Sequence, residues 1–255
     1  MSDKAVLYEL RDGVAYITLN RPEASNAVDL DCARLFGDVV SRVATDGPRV
    51  VLIDGRGKCF CAGGDVSSMV TAPDRASYLH ELASTLEAGL RRLSELPVPV
   101  VAAVHGAVAG AGLAVVLNCD VVIAARSTKF LMAYSGVGLT PDCGVSYLLP
   151  RAVGQQRALE LALTGRTLSA DEAMAWGLVA QVAQDEDVLR RAGEVVTQIA
   201  HAATSALGEA KRLTRSSWES TRCDSALDEP ATIARAVGTD EAPPLPARFR
   251  TDRAC

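Results

Sequence analysis

Three short apolar runs, Val50 to Ile53, Val98 to Val104 and Val121 to Ala124, alternate with stretches of helical periodicity through the middle of this chain. Runs this short fit strands buried on both faces, and such strands need helices to cover them. The helices are present in the pattern. After Asp29, Leu30, Ala33, Phe36, Val39, Val40 and Val43 recur at helical spacing, and Leu79, Leu82, Leu86, Leu90 and Leu93 share one face of Arg75 to Leu93. Alternation of helix and buried strand predicts a wound α/β protein. Residues 5–20 alternate about Arg11-Asp12-Gly13 and predict a β-hairpin. Beyond Phe130 the pattern is irregular as far as Pro141-Asp142-Cys143-Gly144. Helices are then expected over 143–149, from Gln155 to Leu163, from a Ser169/Glu172 capping box to Gly177, from Asp187 to Ala203 and from Leu207 to Trp218. Pro243-Pro244-Leu245-Pro246 reads as a linker-like break before a charged end.

Composition narrows the function classes. With 255 residues, 49% apolar and 22% charged, the chain can bury a sizeable core and is not disordered. Its most apolar stretch, Val98 to Ala125, is interrupted by Pro99, His105, Asn118 and Asp120, so no membrane span is expected. The net charge of −5 is spread without blocks, which argues against nucleic acid or anionic lipid as a partner. Met1-Ser2-Asp3-Lys4 lacks the start of a secretory signal. Seven scattered cysteines match no disulfide framework, and Cys59-x-Cys61 is too tight for a zinc knuckle. These features predict a cytoplasmic protein with no metal site.

Two glycine-rich segments, Gly55 to Gly64 and Gly106 to Gly112, each follow a buried strand and open a helix. Such junctions present free backbone N–H groups at a positive dipole end and can hold an anion or a developing oxyanion; glycines can also simply permit tight turns. A dinucleotide fingerprint is not met, because Val115 stands at the third glycine position and Asp120 follows too soon. Ser146 is not in a nucleophile elbow. His80 and His201 read as structural or solvated, and His105 as a turn residue.

Phe60-Cys61-Ala62-Gly63-Gly64-Asp65-Val66, His105-Gly106-Ala107-Val108-Ala109-Gly110-Ala111-Gly112 and Asn118-Cys119-Asp120 together resemble the enoyl-CoA hydratase/isomerase (crotonase) superfamily. Asn20-Arg21-Pro22-Glu23, Leu163-Thr164-Gly165-Arg166 and Trp176-Gly177-Leu178-Val179 extend the resemblance over about residues 5 to 220. It implies a spiral of ββα units over 1–195 and, over 196–255, a helical C-terminal region that builds a homotrimer or a dimer of trimers. It implies an acyl-CoA thioester as substrate, coenzyme A being part of that substrate and no separate cofactor being needed, within fatty acid metabolism. By motif position it makes the N–H groups of Gly64 and Ala111 the oxyanion donors, and places Ala24, Ala62, Asp65, Val66, Gly110 and Tyr134 at the substrate. Lys58, Arg21 and Lys211 are candidates for the phosphates of CoA.

The acid/base positions depart from the hydratase pattern, with Ala114 and Tyr134 standing where hydratases carry glutamates. Alanine transfers no proton, and an unperturbed tyrosine pKa of about 10 makes a poor base at neutral pH. Asp142 matches the acidic position of Δ3,Δ2-enoyl-CoA isomerases, and Gly136-Val137-Gly138-Leu139-Thr140-Pro141-Asp142 particularly resembles the ring-opening isomerase of phenylacetate degradation. Read alone, Asp142 is an N-cap of the following helix; within the family it is the proton shuttle. The resemblance therefore implies an enoyl-CoA isomerase. A hydratase, a dehalogenase-like enzyme using Tyr134 and Asp142, and a non-catalytic acyl-CoA binder are the alternatives.

Overall fold

The computed structural model describes residues 4–239 and 241. The sequence readings of Met1 to Asp3 and of the Pro243-Pro246 tail lie outside these residues. The hairpin is β1 (Val6–Arg11) and β2 (Val14–Leu19), paired antiparallel with Val6 opposite Leu19. There follow α1 (Leu30–Asp46), β3 (Val50–Gly55), α2 (Val66–Thr71), α3 (Arg75–Glu95), β4 (Val100–Val104), β5 (Ala107–Ala109) and α4 (Ala111–Asn118). The second half holds β6 (Val121–Ala125), β7 (Lys129–Leu131), α5 (Val145–Val153), α6 (Gln155–Thr164), β8 (Leu168–Ser169), α7 (Ala170–Ala175), β9 (Gln181–Ala183), α8 (Val188–Ala200), α9 (Thr204–Ser216) and α10 (Arg222–Val237).

The strands form two sheets, one in the order β1-β2-β3-β4-β6-β9 and a smaller one in the order β5-β7-β8. From β2 to β9 every pairing in the larger sheet is parallel. Successive turns of the chain give a strand first to the large sheet and then to the small one, as β4 with β5 and β6 with β7 do. A parallel bridge between Cys61 and Val108 continues the small sheet into the preceding turn. This is the expected spiral of ββα units.

The apolar runs are buried on both faces, as their continuity requires. Val51, Ile53, Ala102 and Val104 pack into the main core with α1 and α3, while Val50, Leu52, Val101 and Ala103 face α8 through Val188, Ala192 and Val196. The expected division after residue 195 falls inside α8, which packs on the sheet over its whole length, and α9 and α10 follow it.

One local expectation is corrected, and two helices are added. The helix expected over 143–149 begins at Val145 and runs through Pro150 to Val153. The proline removes only a bond to the carbonyl of exposed Ser146, which solvent can reach. Val66–Thr71 and Arg222–Val237, to which the sequence pattern assigned no element, are helices, the second started by a Thr221/Asp224 capping box and continuing past Pro230. The capping box expected at Ser169 and Glu172 is present in both directions, with Ser169 N–H to Glu172 at 3.0 Å and Glu172 N–H to Ser169 Oγ at 3.3 Å.

Candidate active site

The two glycine segments run side by side. Cys61 N–H donates to Ala107 O at 3.1 Å, Ala109 N–H donates to Cys61 O at 3.0 Å, and the strands end at Gly63 (φ +116°) and Gly110 (φ +48°). These positive φ values suit glycine, and at each the chain turns so that the next N–H leaves the ladder. Neighbouring amides are committed: Asp65 N–H to Val28 O at 2.9 Å, Gly110 N–H to Leu131 O at 3.2 Å and Ala114 N–H to Gly110 O at 3.0 Å. The N–H groups of Gly64 and Ala111 have no acceptor among the described residues. Ala111 also opens α4, whose positive dipole end adds to the field there.

Both residues line a cavity of about 300 Å³. Its walls come from Ala62 and Gly63, from Val66 and Met69 of α2, from Leu79, His80, Leu82, Ala83 and Leu86 of α3, and from Gly110, Tyr134 and Asp142. The sequence-derived residues Gly64, Ala111, Ala62, Val66, Gly110, Tyr134 and Asp142 are thus brought together. Asp65 and Ala24 are not on this cavity. Asp65 caps α2 through Ser68 N–H at 3.2 Å and is paired with Arg21 at 3.0 Å. Ala24 ends a 3₁₀ turn, next to Ser25, whose carbonyl accepts from Ala62 N–H at 3.0 Å.

Asp142 is delivered by the loop after β7. The Tyr134 carbonyl accepts from Val137 and Leu139 N–H at 3.1 and 3.0 Å, folding the chain back so that the Tyr134 hydroxyl donates to Asp142 Oδ1 at 2.8 Å. Burial, then the Asp142 charge and this hydrogen bond, push the Tyr134 phenol upward, so it stays protonated and acts as a donor. The N-cap reading of Asp142 is overturned. Gly144 is the N-cap residue of α5, no side chain caps the helix, and the Asp142 carboxylate points instead to Tyr134. Next to it Cys143 is buried, holds φ +50° and reaches Ala83 O at 3.7 Å, tying the loop to α3. Ala114, at the hydratase glutamate position, is fully buried and carries no proton-transfer group.

Sequence reasoning found Val66 but missed Met69 on α2 and the whole α3 wall. The Leu79, Leu82, Leu86 stripe was visible, but a stripe does not say whether it faces core or cavity. Of the three candidate phosphate cations, Lys211 is held by Asp120 at 2.8 Å with only 7% of its side chain exposed, and Arg21 is shared between Asp29 and Asp65. Lys58 is exposed.

A family model described as enoyl-CoA hydratase/isomerase matches residues 9–235. The chain belongs to the enoyl-CoA hydratase/isomerase family. Within this crotonase superfamily it is 38% identical to the 1,2-epoxyphenylacetyl-CoA isomerase of Escherichia coli (strain K12), over 91% of this chain and 90% of that one. It is 34% identical to 4-chlorobenzoyl coenzyme A dehalogenase-2 of an Arthrobacter species, over 82% and 77%. The crystal structure of an enoyl-CoA hydratase from Mycobacterium smegmatis superposes with a TM-score of 0.88 at 30% identity, covering 94% and 93%. The relatives are named for different reactions, so family membership gives an enoyl-CoA hydratase/isomerase-type enzyme and leaves the reaction to the residues at the site.

Proposed function

We propose that this family member is an enoyl-CoA isomerase that moves a double bond within an acyl-CoA thioester. The observation that carries the reading is that, among the described residues, a single carboxylate, Asp142, lines a cavity that also holds two unspent N–H groups, with apolar or permanently protonated groups at the hydratase positions. The thioester oxygen sits between the N–H groups of Gly64 and Ala111. Asp142 removes a proton from C2 of a 3-enoyl thioester, and the electrons pass into the carbonyl to give an enolate. Those two donors stabilise its charge as it forms, each such donor being worth about 3 kcal/mol. The carboxylic acid then returns the proton at C4, leaving the 2-enoyl thioester. One group serves as base and then acid, so a second carboxylate is unnecessary. The leaving or adding of water has no second carboxylate to position it, which makes hydration the weaker reading. A trimer, or a dimer of trimers, is the proposed assembly.

Asp142→Asn is the test. The variant is expected to bind CoA thioesters and fold as the parent does, while isomerisation of a 3-enoyl-CoA and exchange of its C2 proton with D₂O both fall by roughly 10²-fold or more. Parent-level isomerisation and exchange would remove Asp142 from the chemistry.

A further inference from the structure

The free N–H of Gly64 is aimed by the other end of its own peptide. Gly63 C=O and Gly64 N–H belong to one planar trans unit and point in opposite directions. Val28 N–H donates to Gly63 O at 2.8 Å, and the buried Cys61 thiol reaches the same oxygen at 3.8 Å. Asp65 N–H donates back to Val28 O at 2.9 Å, completing a parallel bridge between Val28 and Gly64. With the Gly63 carbonyl held toward the Val28 amide, Gly64 N–H is turned the other way, without an acceptor among the described residues.

Val28 is not in a strand, and its bridge to Gly64 is isolated, so something else must hold it. Arg21 does. Its Nη1 donates to Ala27 O at 2.5 Å, and its Nη2 lies 3.0 Å from Asp29 Oδ2 and 3.0 Å from Asp65 Oδ2. Ala27 and Asp29 are the chain neighbours of Val28, and Asp65 follows Gly64. Asp29 also caps α1 through Cys32 N–H at 2.8 Å, and Asp65 caps α2 through Ser68 N–H at 3.2 Å. One guanidinium, with 21% of its side chain exposed, therefore ties two helix starts together across the bridge that aims Gly64. The backbone of Arg21 is itself fixed, exchanging hydrogen bonds of 2.8 Å with the Asn26 side chain and the Asn26 N–H. A rigid fork of donors serves three acceptors at once.

We infer that Arg21 is a positioning residue, which fixes the Val28–Gly64 bridge and so sets the direction of Gly64 N–H toward the thioester oxygen. The inference rests on the oxyanion role of Gly64 under the proposed function, and not on the double-bond shift or on Asp142. Without the guanidinium, Asp29 and Asp65 face each other as like charges, which drives the two caps apart and loosens the bridge between them.

The test reads the thioester carbonyl directly, by difference infrared spectroscopy of the full chain with butyryl-CoA carrying carbon-13 at its carbonyl. This thioester is saturated and cannot isomerise. Hydrogen bonds from Gly64 and Ala111 are expected to lower the carbonyl frequency in the parent complex below that of free butyryl-CoA. Arg21→Met misdirects one donor of the two and is expected to lose about half of that downshift. Asp65→Asn keeps the α2 cap, because asparagine caps about as well as aspartate, and removes only the charge that Arg21 holds. It is expected to lose a smaller part of the downshift, and it carries the test should Arg21→Met not fold. Arg212→Met breaks the ion pair with Asp228 that joins α9 to α10, neither of which lines the cavity, and is expected to keep the full downshift. A full downshift in folded Arg21→Met or in Asp65→Asn, or an equal loss in Arg212→Met, would overturn the inference and leave the oxyanion reading standing. A parent that leaves the carbonyl at its free frequency would overturn the oxyanion role of Gly64 and the role of Arg21 together.

Discussion

The hydroxyl of Tyr134 and the carboxylate of Asp142 meet at 2.8 Å, with the ring almost wholly buried and its phenol held protonated. The tyrosine is thus a fixed donor, through Oδ1, to the one acid that lines the cavity among the described residues.

Tyr134→Phe tests that pairing. A hydrogen bond to a charged group contributes about 1.5–3 kcal/mol, so the variant is expected to lose stability within that range in urea titrations. The carboxylate would also lose its orientation, lowering kcat for isomerisation by about tenfold while KM stays within a few-fold. An unchanged kcat would show that the tyrosine serves folding alone.

Asp120 joins the C-terminal helices to the sheet. Its carboxylate accepts from Val100 N–H at 2.8 Å and pairs with Lys211 at 2.8 Å and Arg215 at 2.7 Å. Asp120→Ala strands two partly buried cations and is expected to cost about 3–5 kcal/mol. Lys211 behaves differently, because burial pushes its pKa below the ordinary lysine value despite Asp120. Lys211→Met removes a charge whose desolvation is incompletely offset, and is expected to change stability by no more than about 1 kcal/mol. Chemical denaturation of both variants checks the asymmetry; equal losses would refute it.

Asp54, near the end of β3, has one buried carboxylate oxygen with no partner among the described residues, and burial pushes its pKa up. Between the unfolded value of about 3.9 and the raised folded value, the unfolded chain releases this proton first, so stability falls as pH rises through that window. Asp54→Asn removes the charge and is expected to raise stability at neutral pH by about 1 kcal/mol, a gain that vanishes below about pH 4. Melting curves at pH 3.5 and 7 measure it, and an equal gain at both would show that the buried charge is not its source.

Ile233 and Val237 stand one turn apart on α10 and are 71% and 73% exposed. Buried in a trimer, they would leave water. Light scattering at micromolar concentration is expected to give a trimer or a multiple of it, and Ile233→Asp to shift the population toward monomer. A monomeric parent would refute the proposed assembly.

The large sheet was legible because runs such as Val50 to Ile53 and Val121 to Ala124 have no polar face to offer solvent. The small sheet was not. β5, β7 and β8 are two or three residues long, too short for alternation to register. α2 lacks a buried stripe, and Pro230 hides α10 because a proline within a helical pattern reads as its end. At the site, Gly64, Ala111 and Asp142 were readable from motif position. Whether Asp142 caps a helix or faces a cavity was decided by Tyr134, brought to it by the intervening turn. Met69 carried no signal, and the Leu79, Leu82, Leu86 stripe of α3 was visible without its destination, since which side of a helix meets empty space is settled by packing.

Gly64 and Ala111 each follow a glycine, Gly63 and Gly110, and those two glycines lie backbone against backbone at the end of the ladder that Cys61 and Val108 share. The two N–H groups are therefore brought to one place by main chain. The acid, by contrast, hangs on a separate loop between β7 and α5. Under the proposed function, grip on the thioester and choice of reaction are written in different parts of the chain. A library randomised only over residues 133–144 would then vary the acid and part of the cavity wall while leaving the paired glycine segments that present the two amides unchanged.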